Sequence, residues 1–181
     1  MNYLSAIEIE PSEPANASVI WLHGLGASGD DFSPIVPALG LGKKKECENL
    51  HIRYVFPHAP SIPVSINGGM AMPAWYDIIS IDVERKINEE QFAQSCKQVT
   101  DLIEREIERG VASDKIVLAG FSQGGAVAYQ AALSFEKPLA GLMAMSTYIA
   151  SKHSIALQEA NKNLAISIFH GSQDNVVPES L

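Results

Sequence analysis

A chain of 181 residues, 46% hydrophobic and 19% charged, is long enough for one well-filled domain and too apolar for a disordered solvating segment. Thirteen Lys and Arg stand against twenty-one Asp and Glu, a net charge of −8. Such a surface repels polyphosphates at long range, so nucleic acid is not an expected partner.

Cys47 and Cys96 permit at most one disulfide and form no CxxC, which suits a reducing compartment. The opening MNYLSAIEIEPSEP has no basic or apolar leader region, and no apolar run approaches the ~18 residues of a spanning helix. A cytoplasmic setting is expected. Along the chain, Tyr3–Ile9 reads as an edge strand closed by the turn residues of Pro11–Asn16. Ala17–Leu22 is a short apolar run feeding the loop His23-Gly24-Leu25-Gly26. A helix over Phe32–Leu39 and a strand over Ile52–Phe56 follow.

Residues 57–82 differ in kind. Proline or glycine at 57, 60, 63, 68, 69 and 73 breaks any long element, yet Ile62, Val64, Ile66, Met70, Met72, Trp75 and Tyr76 are all apolar or aromatic. An ordered loop or short hairpin is predicted, of a length that is often functional. Glu89–Arg109 is the clearest helix: Phe92, Cys96, Val99, Ile103 and Ile107 recur at helical spacing, Asn88 caps it and Gly110 stops it. Lys115–Ala119 has a buried-strand pattern, Ala126–Ser134 a helical one, Leu139–Met145 a strand, Ile155–Ala160 a short helix, and Ala165–His170 a last strand. This rhythm predicts a single α/β domain with a mostly parallel central sheet and helices on both faces.

Three strand-end loops carry candidate chemistry. Gly120-Phe121-Ser122-Gln123-Gly124 matches G-x-S-x-G, with a strand (KIVLA) before it and a small-residue helix (GAVAYQAAL) after it. In that context a serine sits on a sharp strand-to-helix turn with its hydroxyl exposed; the plainer alternative for Ser122 is an ordinary helix N-cap. A phosphate-gripping loop would need Gly-Lys-Ser/Thr, which is missing from this segment. A tetrahedral intermediate needs fixed donors at its oxygen. The backbone amides of Gln123 and of Leu25, in HGLGAS at 23–28, are the candidates, although the second loop also reads as a simple turn. Asp174, in His170-Gly171-Ser172-Gln173-Asp174, fits the acid that follows the serine in chain order, or else a turn former beside Asn175.

A base is harder to find. After Asp174 the chain reads NVVPESL without a histidine, and His23, His51, His58, His153 and His170 all precede it. His23 and His170 fall near the site, but their expected work is to hold their loops by main-chain hydrogen bonds, so neither is assigned as base. An acid without its histidine has no purpose. The expectation is that residues 1–181 are a C-terminally incomplete domain, whose remaining piece supplies one histidine between a further strand and a terminal helix.

These residues resemble the acyl-protein thioesterase and bacterial carboxylesterase (phospholipase/carboxylesterase) family of α/β-hydrolases over nearly the whole chain. The resemblance rests on LHGLGASGDDF at 22–32, FPHAPSIPVSINGGMAMPAWYDI at 56–78, GFSQGGAVA at 120–128 and FHGSQDNVVP at 169–178. It implies Ser122 as nucleophile, Asp174 as acid and the amides of Leu25 and Gln123 as oxyanion hole. It also implies a final Gly-His segment and helix, which the chain lacks. No cofactor or metal is implied. Ile62-Pro63-Val64-Ser65 stands where family members commonly have Arg-Pro-Val-Thr, which leaves substrate preference open but not reaction class.

The expected activity is hydrolysis of carboxylic esters or thioesters, with lipidated proteins or lysophospholipids as implied substrates. Ile62, Val64, Met70, Met72 and Trp75 either line an acyl-binding wall or fill a satellite core; a transient membrane-surface contact and a homodimer are further expectations for this loop. Two rival classes are an amide-cleaving hydrolase of the same fold and a non-catalytic binding protein, the latter supported only by the missing histidine.

Overall fold

The computed structural model describes residues 3–41, 45–81 and 85–178. Among these residues the elements run β1 (Ala6–Ile9), β2 (Ala17–Leu22), α1 (Val36–Leu39), β3 (Ile52–Pro57), β4 (Ser61–Val64), β5 (Met70–Pro73), β6 (Ile78–Ile81), β7 (Arg85–Ile87), α2 (Glu89–Glu108), β8 (Ile116–Phe121), α3 (Gln123–Ser134), β9 (Gly141–Met145) and β10 (Ile166–Phe169), with short 3-10 turns between. Six strands form one sheet in the order β1-β3-β2-β8-β9-β10. Only β1 is antiparallel to its neighbour; the other pairings are parallel. The β4–β5 and β6–β7 pairs are separate antiparallel hairpins.

Alternation along each strand sends side chains to opposite faces. Ile20, Leu22, Val55, Ile116, Leu118 and Leu142 point into the larger core, and the buried faces of α2 and α3 cover them. Trp21, Tyr54, Phe56 and Ala119 form the smaller core on the other face, under Phe32 and α1. Burying a large apolar side chain contributes roughly 1.5–3 kcal/mol, so the α2–α3 face dominates stability. The C-terminal end of α2 is also tied to β1 and β3: fully buried Glu106 accepts from Arg53 Nη1 at 2.9 Å and from Arg109 Nη1 at 3.0 Å, and the same arginines reach Glu10.

Three expectations differ from the structure, each for a local reason. The Phe32–Leu39 helix is one 3-10 turn, Ser33–Ile35, and the four-residue α1, because Pro34 and Pro37 remove backbone donors. The helix expected from Ala126 starts at Gln123: close packing overrides the poor helix propensity of Gly124 and Gly125. The Ile155–Ala160 helix does not form; a 3-10 turn at Lys152–Ser154 precedes the segment and another, Glu159–Asn161, takes in its last two residues. Buried Asn161 organises it, accepting from the Leu139 amide at 2.9 Å and donating to the carbonyls of Phe135 and Lys137 at 2.8 and 2.9 Å. The expected last strand forms as β10, parallel to β9 and outermost, with Ile166, Ile168 and Phe169 39%, 65% and 57% exposed.

Candidate active site

Ser122 lies between the end of β8 and the start of α3 with φ 52° and ψ −118°, a left-handed conformation that costs a residue with a side chain roughly 1–3 kcal/mol. Its surroundings leave no relaxed alternative. A Cβ on Gly120 would come within 2.5 Å of Gly125 Cα, one on Gly124 within 2.4 Å of the His23 carbonyl oxygen, and one on Gly125 within 2.4 Å of Thr147 Oγ1. Strand, helix and the 23–28 loop therefore meet at contact distances only glycine permits. The Ser122 amide donates to the Met145 carbonyl at 2.9 Å. Its carbonyl accepts from Gly125 N at 3.0 Å and from Thr147 Oγ1 at 2.6 Å. The N-terminal amides of α3 converge on the same spot, where the helix dipole favours negative charge.

The 23–28 loop is held from beneath by His23, which is fully buried. Nδ1 lies 2.8 Å from the Gly24 carbonyl and so carries the proton, while Nε2 accepts from the Ala59 amide at 3.0 Å. Burial pushes its pKa down, so the ring is a neutral strut. The His23 carbonyl accepts from Trp75 Nε1 at 2.8 Å. The Trp75 amide donates to Gln123 Oε1 at 2.9 Å, and Gln123 Nε2 donates to the Tyr76 carbonyl at 2.7 Å. Loop, hairpin segment and serine bend are one hydrogen-bonded unit. A Cβ on Gly24 would sit 3.5 Å from Ser122 Cβ, so the loop bearing Leu25 lies directly against the serine. Among the described residues neither the Leu25 nor the Gln123 amide has a hydrogen-bond acceptor.

Asp174 belongs to the loop after β10. Its Oδ1 accepts from the amides of Val176 and Val177, both at 2.9 Å, and these bonds hold its carboxyl below the ordinary aspartate pKa. His170 lies 3.8 Å from Asp174 Oδ2, but its Nε2 donates to the Val177 carbonyl at 2.6 Å. Both near histidines thus bond main-chain atoms, and among the described residues no histidine nitrogen bonds the Ser122 hydroxyl. Phe121, Met145 and Phe169 are level across three parallel strands, so Ser122 and the start of the Asp174 loop are two strand spacings apart, roughly 10 Å.

The hairpin residues divide between the two readings of the 57–82 loop. Met70 is 66% exposed at the start of β5. Met72 is half-buried, takes a 3.2 Å contact from Asn67 Nδ2 and lies beside Gly26. Ile62, with Trp75, Gln91 and Gln98, lines a cleft of about 170 Å³ against α2. Val64 and Trp75 depart from an exposed acyl wall: at 0% and 1% exposure they belong to the core, because this segment must bury apolar side chains to remain ordered. Asp77 clamps the loop through Ser65, accepting from its amide at 2.7 Å and its hydroxyl at 2.6 Å. Sequence reasoning missed the Thr147 brace and the Gln123 side-chain bridge, whose partners are remote in sequence. Among the described residues no group of three or more His, Cys, Asp or Glu is arranged for a metal ion.

A mostly parallel sheet with a strained serine at a strand-to-helix bend, against a glycine-rich loop from an earlier strand, defines an α/β-hydrolase. Within that class, the sequence model of the phospholipase/carboxylesterase family matches residues 4–181, and the chain belongs to this family of hydrolytic enzymes. It is 40% identical over 180 residues to acyl-protein thioesterase 1 of Schizosaccharomyces pombe, covering 98% of this chain and 77% of the relative. It is 37% identical over 179 residues to acyl-protein thioesterase 1 of Cryptococcus neoformans, covering 96% and 73%. Its structure resembles SOBER1 of Arabidopsis thaliana with a TM-score of 0.81 at 31% identity, over 91% of this chain and 78% of that one.

Proposed function

We propose that the chain hydrolyses carboxylic esters and thioesters through an acyl-serine, with Ser122 as nucleophile, Asp174 as acid and the amides of Leu25 and Gln123 as oxyanion hole. The observation that carries this reading is the strained backbone of Ser122, φ 52°, held against a loop with a free amide. Ser122 Oγ attacks the carbonyl carbon as a histidine takes its proton, and the carbonyl oxygen gains the negative charge facing the two amides. The tetrahedral adduct collapses, the alcohol or thiol leaves with that proton, and water then releases the acid from the acyl-serine by the same steps.

His23 and His170 are already committed to main-chain partners, so neither of them is assigned as the base.

The relatives named acyl-protein thioesterases favour lipidated proteins as substrates, with lysophospholipids as the second candidate, and the two free cysteines, Cys47 and Cys96, support a cytoplasmic setting. The exposed Met70 supports a transient contact between the hairpin and acyl chains or a membrane surface. Among the described residues no helix is long and apolar enough to cross a membrane. Ser122→Ala tests the reading: labelling by a fluorophosphonate probe is lost and hydrolysis falls roughly a thousandfold or more, whereas unchanged hydrolysis overturns it. Matched ester, thioester and amide substrates then separate this chemistry from amide cleavage.

A further inference from the structure

A side chain from the β6–β7 hairpin reaches the loop that carries Asp174. Alternation along β7 sends Arg85 and buried Ile87 to one side of the strand and exposed Lys86 to the other, so Arg85 enters the protein. Its guanidinium lies over the ring of buried Tyr148, 4.2 Å from the centroid, a stack that suits a planar cation. The Tyr148 hydroxyl in turn pairs with that of fully buried Tyr76 at 2.7 Å, so the surface under Arg85 is fixed. From there Nη2 donates to the Val176 carbonyl at 2.7 Å. Among the described residues this is the one side-chain hydrogen bond that joins the 170–178 loop to a residue outside it. The other bonds tie the loop to itself: His170 Nε2 to the Val177 carbonyl at 2.6 Å, and Asp174 N to the Gly171 carbonyl at 3.0 Å.

The carbonyl that Arg85 holds is one end of a peptide unit whose other end serves the acid. Val176 C=O and Val177 N–H share a single planar peptide and point in opposite directions. Val177 N–H donates to Asp174 Oδ1 at 2.9 Å, beside the Val176 N–H at the same distance. A donor at the carbonyl end fixes the rotation of that plane, and a cationic donor polarises the amide and strengthens the bond its N–H makes. Arg85 Nη2, Val176 O, Val177 N and Asp174 Oδ1 therefore form one continuous row. Packing alone does not supply this control. The Val177 side chain is 2% exposed and anchors the loop in the core, but Val176 is 75% exposed, and apolar burial on one side sets a position rather than the rotation of a peptide plane.

We propose that Arg85 is a positioning residue for Asp174: through the Val176–Val177 peptide it fixes the rotation of the carboxylate and aims it at the imidazole it serves. This role rests on the reading of Asp174 as the acid and adds to that site a residue from the hairpin that leads into α2.

The test combines amide NMR with steady-state hydrolysis of a chromogenic short-chain ester by the wild type, Arg85→Met, Lys86→Ala, Asp174→Asn and the Arg85→Met/Asp174→Asn double variant. Arg85→Met keeps an unbranched stem against the Tyr148 ring and loses every donor, which separates the hydrogen bond from the packing. Lys86→Ala removes an exposed charge from the same strand. In Arg85→Met the Val177 amide proton moves upfield and exchanges faster with solvent, and kcat falls roughly threefold to tenfold with KM unchanged. Lys86→Ala changes neither. Asp174→Asn lowers kcat roughly a hundredfold or more, and in that background Arg85→Met costs no further rate, because both act through one group. A role confined to packing gives a different pattern: the Val177 amide is unmoved, or the loss of rate persists undiminished alongside Asp174→Asn, and either result overturns the proposal. A fall in Asp174→Asn with none in Arg85→Met removes Arg85 alone. Unchanged hydrolysis in Asp174→Asn removes Asp174 as the acid, and the role of Arg85 with it.

Discussion

The serine bend and the tip of the β4–β5 hairpin both depend on glycine, and they use it for different reasons. At the bend, Gly120, Gly124 and Gly125 provide space: an added Cβ would meet backbone or side-chain atoms at 2.4–2.5 Å. At the hairpin tip, Gly68 and Gly69 have φ of 65° and 78° and nothing within 4 Å of an added Cβ. Space there is free, and the glycines serve a backbone conformation that other residues adopt at a cost. One region is rigid because three segments interpenetrate. The other is an exposed turn whose contribution to the fold is local. A reacting group that must be placed to a fraction of an ångström belongs on the first, and a surface that adapts to an acyl chain on the second.

Gly124 is the most sensitive position of the bend. Gly124→Ala pushes its Cβ into the His23 carbonyl and Leu22, so we expect a loss of about 4 kcal/mol or more, seen as a collapsed melting temperature and lost fluorophosphonate labelling of Ser122. A Gly124→Ala protein that melts and labels like wild type would show that the bend has slack. The pH dependence of the rigid region follows. Burial lowers the pKa of His23, so its stabilising contribution is whole above the ordinary histidine pKa of about 6.5 and is lost as pH falls below it, because the unfolded chain takes up the proton first. Melting temperatures measured from pH 7.5 down to 5.5 should fall, and less so for His23→Gln, which keeps a donor and an acceptor without titrating. Equal slopes would refute the assignment.

Thr147→Val removes one of the bonds to the Ser122 carbonyl, with an expected loss of about 1–1.5 kcal/mol and slower probe labelling. At the hairpin, Gly68→Ala should cost about 1 kcal/mol through backbone strain alone and leave labelling untouched. Met70→Ser is the smallest expected effect on the fold, within about 0.5 kcal/mol, while turnover of long-chain esters drops relative to short-chain ones. Equal losses on both chain lengths would exclude the hairpin from acyl contact.

Local rules made some features legible and left others hidden. G-x-S-x-G between an apolar strand and a small-residue helix pointed to Ser122, and the HGLGAS loop and the Asp174 turn could be found because each follows a strand directly. The α2 helix was readable from its spacing and its Asn88 cap. Val64 and Trp75 were not separable from Met70 by sequence: an apolar residue in an irregular loop is as apt for a wall as for a core, and only packing assigns it.

From sequence alone, the order of the six central-sheet strands and of α2 and α3 and the residue types at three strand ends were determined, because periodicity and glycine spacing act over a few neighbours. Tertiary structure decided what lies beside what. The Gln123 side chain bridges Trp75 and Tyr76, Thr147 braces Ser122, and His23 is a neutral strut rather than a base. These contacts join positions 25 to 48 residues apart, and they form only when the parallel register brings strand ends level. A hydrogen bond is worth making in the interior once water has been excluded from both partners, and that exclusion is a property of the folded whole.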